Sequence, residues 1–125
     1  MKPAWIAFTA ALFVVVAPLS ADFSAGLAAY NKADYATALK EWQPLADGGS
    51  RDAQYNVALL YLDGKGEIVK RDYVQAYKWL SLCAAKGNAG CASQRDLVER
   101  KLKGSKLAEA QRQASEWKPV AEPSK

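Results

Sequence analysis

Residues 34–54, DYATALKEWQPLADGGSRDAQ, and residues 72–92, DYVQAYKWLSLCAAKGNAGCA, are two renderings of one string set 38 residues apart. The shift pairs Asp34 with Asp72, Tyr35 with Tyr73, Ala38 with Ala76, Ala46 with Ala84, Gly49 with Gly87 and Ala53 with Cys91. Self-similarity at a period of ~20–50 residues marks stacked supersecondary units, none of which can bury its apolar face alone. A chain built this way has to fold as an array, with its core running between neighbouring units.

The units read as helices. Tyr35, Ala38, Leu39, Trp42 and Leu45 recur at steps of three and four, which makes one apolar stripe. Tyr73, Ala76, Leu80 and Ala84 repeat the stripe, and Trp79 widens it. Asp34 and Asp72 stand where N-caps belong, and Gln75, three residues past Asp72, makes that second start resemble a capping box. Both stripes run into glycine, Gly48-Gly49 and Gly87, where a left-handed stop costs little. Between them Ala53, Val57, Leu60 and Tyr61 predict a further helix, opened by Ser50 and ending at Gly64-Lys65-Gly66. Pro44 conflicts with the first stripe, because it removes a backbone donor and crowds the Lys40 carbonyl. A kink, or an ending near Trp42 followed by a short turn, is expected there.

Residues 91–102 continue helically, and Gly104-Ser105 reads as a stop followed by a start. Leu107, Ala110, Ala114 and Trp117 then form a last stripe, closed by Pro119. These two helices do not carry the 38-residue pattern, as expected of elements that cap a stack and turn one face to water. No segment alternates with period two over a useful length. The expected class is therefore all-α, a short α-solenoid of antiparallel helix pairs with C-terminal capping helices, in which Trp42 and Trp79 occupy equivalent settings on related elements.

The chain opens with Lys2 and then WIAFTAALFVVVAPL, fifteen uncharged residues at 5–19. A membrane span needs ~20. Pro18, Ser20 and Ala21 supply a small-residue exit, so residues 1–21 read as a signal peptide cleaved near Ala21, with a retained anchoring helix as the alternative. The remainder is partitioned as a helical repeat domain at 22–118, with units at 22–50, 51–90 and 91–118, and a tail at 119–125. Losing residues 1–21 removes one lysine and no acid, which takes the net charge from +4 to +3. Acidic and basic residues alternate without a basic block, which argues against a nucleic-acid surface. Cys83 and Cys91 are the two cysteines. An even pair behind an export signal points to a disulfide, and two buried thiols are the alternative.

The second unit resembles the Sel-one-like repeat, a longer relative of the tetratricopeptide repeat. The residues that carry the likeness are Ala53, Ala58, Tyr61, Gly64, Gly66, Asp72, Ala76, Trp79, Ala84, Ala85 and Gly87, with Ile68 or Val69 near the expected valine. Residues 27–49, LAAYNKADYATALKEWQPLADGG, are similar to a preceding unit with a shorter, tetratricopeptide-like link, and EAQRQASEWKP is similar to the closing helix of small exported bacterial members. The resemblance implies a right-handed superhelix and core roles for Tyr35, Ala38, Trp42, Tyr61, Ala76 and Trp79. It also carries over the Cys-x7-Cys spacing of disulfide-bearing relatives to Cys83 and Cys91; some of those relatives bind penicillin or weakly hydrolyse β-lactams.

Several chemistries are poorly supplied. A phosphate loop sets its glycines between a strand and a helix start. Gly64-Lys65-Gly66 instead follows a helix, with no Ser or Thr after the lysine, so it reads as a turn. The alternating oxygens of a calcium loop are missing from residues 63–67. The absence of histidine removes triads and most zinc sites, and no metal or cofactor is expected. Ser115-Glu116-Trp117-Lys118 spells the Ser-x-x-Lys of serine β-lactamases, but eight serines and twelve lysines produce such a string about once by chance, and the companion motifs are absent. The carboxylates Asp34, Glu41, Asp52 and Asp72 show no spacing that makes an acid–base dyad.

The expected function is recognition without bond-making: an exported adaptor, periplasmic or secreted, that holds a peptide or a partner protein on its concave face, with homodimerisation as one way to lengthen a short groove. On the likeness to tetratricopeptide units, Asn56 falls where a side chain often bonds a peptide backbone or terminal carboxylate, with Tyr55, Leu59 and Leu62 beside it. A weak β-lactam or cell-wall-peptide hydrolase is the competing expectation.

Overall fold

The computed structural model describes residues 21–65 and 69–120. Most of the segment read as a signal peptide, residues 66–68 of the loop, and residues 121–125 lie outside the described residues. Six helices follow one another: α1 (Phe23–Asn31), α2 (Tyr35–Asp47), α3 (Arg51–Asp63), α4 (Tyr73–Ala85), α5 (Ala89–Glu99) and α6 (Ser105–Glu116). Among the described residues there is no strand.

Local chemistry starts five of the six. Asp22, Asp34, Ser50, Asp72 and Asn88 each accept a hydrogen bond from a backbone N–H in the first turn of the helix that follows. Such a cap is worth ~1 kcal/mol. Gly104, before α6, has no side chain with which to do so. At Asp72 only half of the expected box forms. Its carboxylate accepts from Val74 N and Gln75 N, but the Gln75 amide does not turn back; it donates to Gln113 Oε1 at 3.2 Å, and the Asp72 N–H donates instead to Tyr61 O at 2.9 Å.

The duplication is exact in its atoms at the linkers. Helices α2 and α4 have the same length, and their bounds differ by 38 residues at both ends. Ser50 N donates to Leu45 O and Gly49 N to Ala46 O; 38 residues on, Asn88 N donates to Cys83 O and Gly87 N to Ala84 O. Gly49 and Gly87 both have positive φ, +100° and +91°. The 38-residue offset extends further than the sequence reading allowed, since α5 begins at Ala89 as α3 begins at Arg51, behind Asn88 as behind Ser50. Of the two C-terminal helices, only α6 breaks the pattern.

Of the two outcomes expected at Pro44, the early ending does not occur: helix α2 runs on past Trp42 to Asp47 with Pro44 inside it. One other expectation needs correction. Trp42 and Trp79 do lie on repeat-related helices, yet in different settings. Trp42 corresponds to Leu80, and both are buried. The Trp42 indole donates to Phe23 O at 3.1 Å and packs among Phe23 and Tyr30 of α1, whereas Trp79 meets Trp117, ring centroids 6.3 Å apart and nearly perpendicular.

Each of α1 to α4 packs on the helix that follows it, and α6 returns to lie against α4. The core between them is rich in alanine: Ala38, Ala46, Ala53, Ala58, Ala76 and Ala110 are fully buried and let backbones approach, while Trp42, Leu60, Trp79 and Leu80 fill the remaining volume. Gln54 is buried with them; its amide donates to Ala46 O at 3.2 Å and ties α3 to the end of α2.

Candidate interaction surface

The four residues read as a binding group all stand on α3, and the structure divides them. Tyr55 and Leu62 are half-buried against the core, Tyr55 on the side that meets α5. Asn56 and Leu59 are half-buried outside that core cluster. With Asp52 and Asp63, both exposed, they make one line at helical spacing along the outer face of α3. Among the described residues the Asn56 side chain has no hydrogen-bond partner, whereas Asp52 meets Arg51 at 3.5 Å.

The repeat-signature residues serve the fold. Tyr35 packs edge-on to Tyr30, centroids 5.3 Å apart. Ala38 and Ala76 are buried, Ala84 is half-buried, and Gly87 is a turn. Gly64 ends α3 at φ +60°, with Arg71 so close that a Cβ there would come within 2.8 Å of the Arg71 Cβ. Tyr61 is half-buried, and burial, together with Asp72 and Asp47, pushes its hydroxyl pKa up. Gly66 lies outside the described residues. The sulfurs of Cys83 and Cys91 stand 2.01 Å apart, at bonding distance, both fully buried and joining α4 to α5.

The hydrolase elements do not converge. The Ser115 hydroxyl donates to Arg112 O at 2.9 Å within α6, and that helix ends at Glu116, before Lys118. Asp34 and Asp72 cap helices, with the Thr37 hydrogen bonds holding the Asp34 carboxyl below its ordinary range. Glu41 accepts from Asp22 N at 2.9 Å.

Beyond α6, Val120 N donates to Asp47 O at 2.8 Å, bringing the chain back to the end of α2. Lys86 reaches from the end of α4 to Gly49 O in the same corner. Lys78, half-buried with its ammonium 4.5 Å from the Trp79 ring centroid, has its pKa lowered by burial, against the opposing pull of Asp47.

A second feature escaped the sequence reading. Residues 71–74, at the start of α4, and residues 101–103 with Lys106, around the α5–α6 link, line an open cleft of ≈550 Å³. Arg71, Lys101, Lys103 and Lys106 contribute four positive charges to it against the single carboxylate of Asp72. The chain does hold a local basic cluster, KLKGSK at 101–106, which the statement that no basic block exists passed over; its significance depends on Arg71, thirty residues away in sequence.

Residues 51–88 match the family model described as Sel1 repeat. The chain carries a Sel1 repeat. The matched residues are α3, the loop and α4, with the turn that closes them, so the Sel1 repeat coincides with one antiparallel helix pair of the array. Sel1 repeats are helical-repeat protein-interaction modules, typically non-catalytic. No curated protein and no solved structure matches the chain significantly. Among the described residues, no helix is long and apolar enough to cross a membrane.

Proposed function

We propose that this chain is a small exported interaction module, working in the periplasm or outside the cell, that holds a peptide or a segment of a partner protein along the concave face to which α3 contributes. The observation that carries this reading is the state of Asn56: a half-exposed amide, unspent in hydrogen bonding among the described residues, beside Leu59 on the first helix of the Sel1 repeat. An amide beside an aliphatic side chain offers one donor, one acceptor and an apolar contact, which suits the backbone of an extended or helical guest. The bonded cysteine pair supports an oxidising compartment, where such bridges persist.

Selection of peptides from a random display library against the full chain supplies the test. Asn56→Ala and Leu59→Ala should each weaken a selected peptide about tenfold, the effect of losing ~1.4 kcal/mol, with unchanged circular dichroism. Peptides that bind both variants as they bind the parent would place recognition elsewhere.

A further inference from the structure

We propose that the cleft between the start of α4 and the α5–α6 link is a binding site for a small, multiply charged oxyanion, a phosphate or carboxylate compound. Its position depends on how α6 packs. Gln75 meets Gln113, and Trp79 meets Trp117, so α6 runs in the same direction as α4 with its residue 113 beside residue 75. Helix α6 starts at Ser105 and α4 at Tyr73, so about six residues of α6, ~9 Å at 1.5 Å per residue, project past the start of α4. The cleft is the space beneath this overhang.

Its charge is lopsided. Arg71, Lys101, Lys103 and Lys106 are all exposed, and among the described residues none of the four forms an ion pair with a carboxylate. Asp72, the acid in the wall, already accepts from two amides of α4. Glu109, one turn along from Lys106, is engaged chiefly by Arg112 and Gln113, which with Lys106 hold its carboxyl below the usual range. Arg71 and Lys101 both stand near the Tyr73 ring, 6.0 and 5.8 Å from its centroid, so the aromatic wall holds two of the cations over the opening. Four like charges around one concavity repel each other, and an anion of charge two or more relieves that repulsion while accepting several charged hydrogen bonds.

The same features favour a small ligand over a nucleic acid. The cations gather in one cleft, and α5 carries the acids Asp96 and Glu99 just ahead of Lys101, so no basic stripe runs on along that helix to track a phosphate backbone. The Tyr73 ring has cations beside it and offers a poor platform for a base. The cleft is lined by residues at the start of α4 and around the α5–α6 link and by none of α3, so substitutions here and at Asn56 or Leu59 can fail independently.

The test is a nitrogen–proton correlation NMR titration of the full chain with sodium pyrophosphate and, separately, sodium citrate, at ionic strength held constant with sodium chloride. Saturable shifts centred on the amides of 71–74 and 101–106 are expected with at least one probe. Pyrophosphate alone would identify a phosphate ligand, citrate alone a carboxylate, and both the shared class. Lys103→Glu combined with Lys106→Glu should weaken binding at least tenfold, Arg71→Ala several-fold, and Lys40→Glu on α2 not at all, all with parental circular dichroism. Shifts that fail to saturate, that spread over all surface lysines, or that survive the double charge reversal would overturn the proposal. A double-stranded oligonucleotide bound more tightly than either probe would overturn it in favour of a nucleic-acid surface.

Discussion

Gln75 donates to Gln113 at 3.2 Å, and the two are 38 residues apart, the repeat interval itself. Four residues on, Trp79 meets Trp117 at the same separation. The last helix thus lies beside α4 at the spacing that relates α4 to α2, although its sequence has lost the repeat. The contact uses what is left over from the cap: Gln75, with the Asp72 N–H taken by Tyr61 O, is free to reach across to α6.

If α6 is part of the folding unit, its contacts should register in global stability. Trp117→Ala is expected to cost ~1–3 kcal/mol, the range for truncating a partly buried aromatic with an aromatic partner. Gln113→Ala should cost less, ~0.5–1.5 kcal/mol, for one net hydrogen bond. Urea unfolding followed by circular dichroism measures both; midpoints unchanged in both variants would mean that α6 is an appendage.

Gly26 inside α1 presents a choice between two effects of opposite sign. Helix propensity favours alanine over glycine by ~1 kcal/mol. A Cβ on Gly26, however, would fall 2.2 Å from Trp42 Nε1 and 2.6 Å from two of its ring carbons, and that indole is already held by Phe23 O. Gly26→Ala should therefore destabilise, by ~1–3 kcal/mol as an overpacked core does. A higher melting temperature in this variant would contradict the packing of α1 on α2.

The bridge between α4 and α5 closes a loop of nine residues, counting both cysteines. Chain entropy assigns it about 2.5 kcal/mol. Replacing both Cys83 and Cys91 by Ala should lower the urea midpoint by that order while leaving helicity intact. Reductant should have the same effect on the parent and none on the double variant. A parent indifferent to reductant would show that the thiols are not joined in solution.

Much of the architecture could be read from local chemistry. Helix starts were legible because Asp34, Ser50 and Asp72 are short acceptors placed just ahead of an apolar stripe, and helix stops because glycine accepts positive φ cheaply. Pro44 left two outcomes open in the sequence, and the burial of Trp42 and Ala46 on either side of it accompanies the one in which α2 continues to Asp47. The α3 group was only half legible. Period 3.6 places Tyr55, Asn56, Leu59 and Leu62 on α3, but says nothing of which neighbours cover Tyr55 and Leu62 and leave Asn56 uncovered.

The sequence alone determined the helical class, the 38-residue unit and the caps at Asp34, Ser50 and Asp72, because each depends on residues within a few turns of one another or on a pattern that repeats. The tertiary structure decided that the Gln75 amide goes to α6, that Val120 bonds back to Asp47, and that Arg71 joins the lysines of 101–106. These depend on the docking direction of α6, which is set by how whole side chains interlock across helices, a property that no single segment of the chain contains.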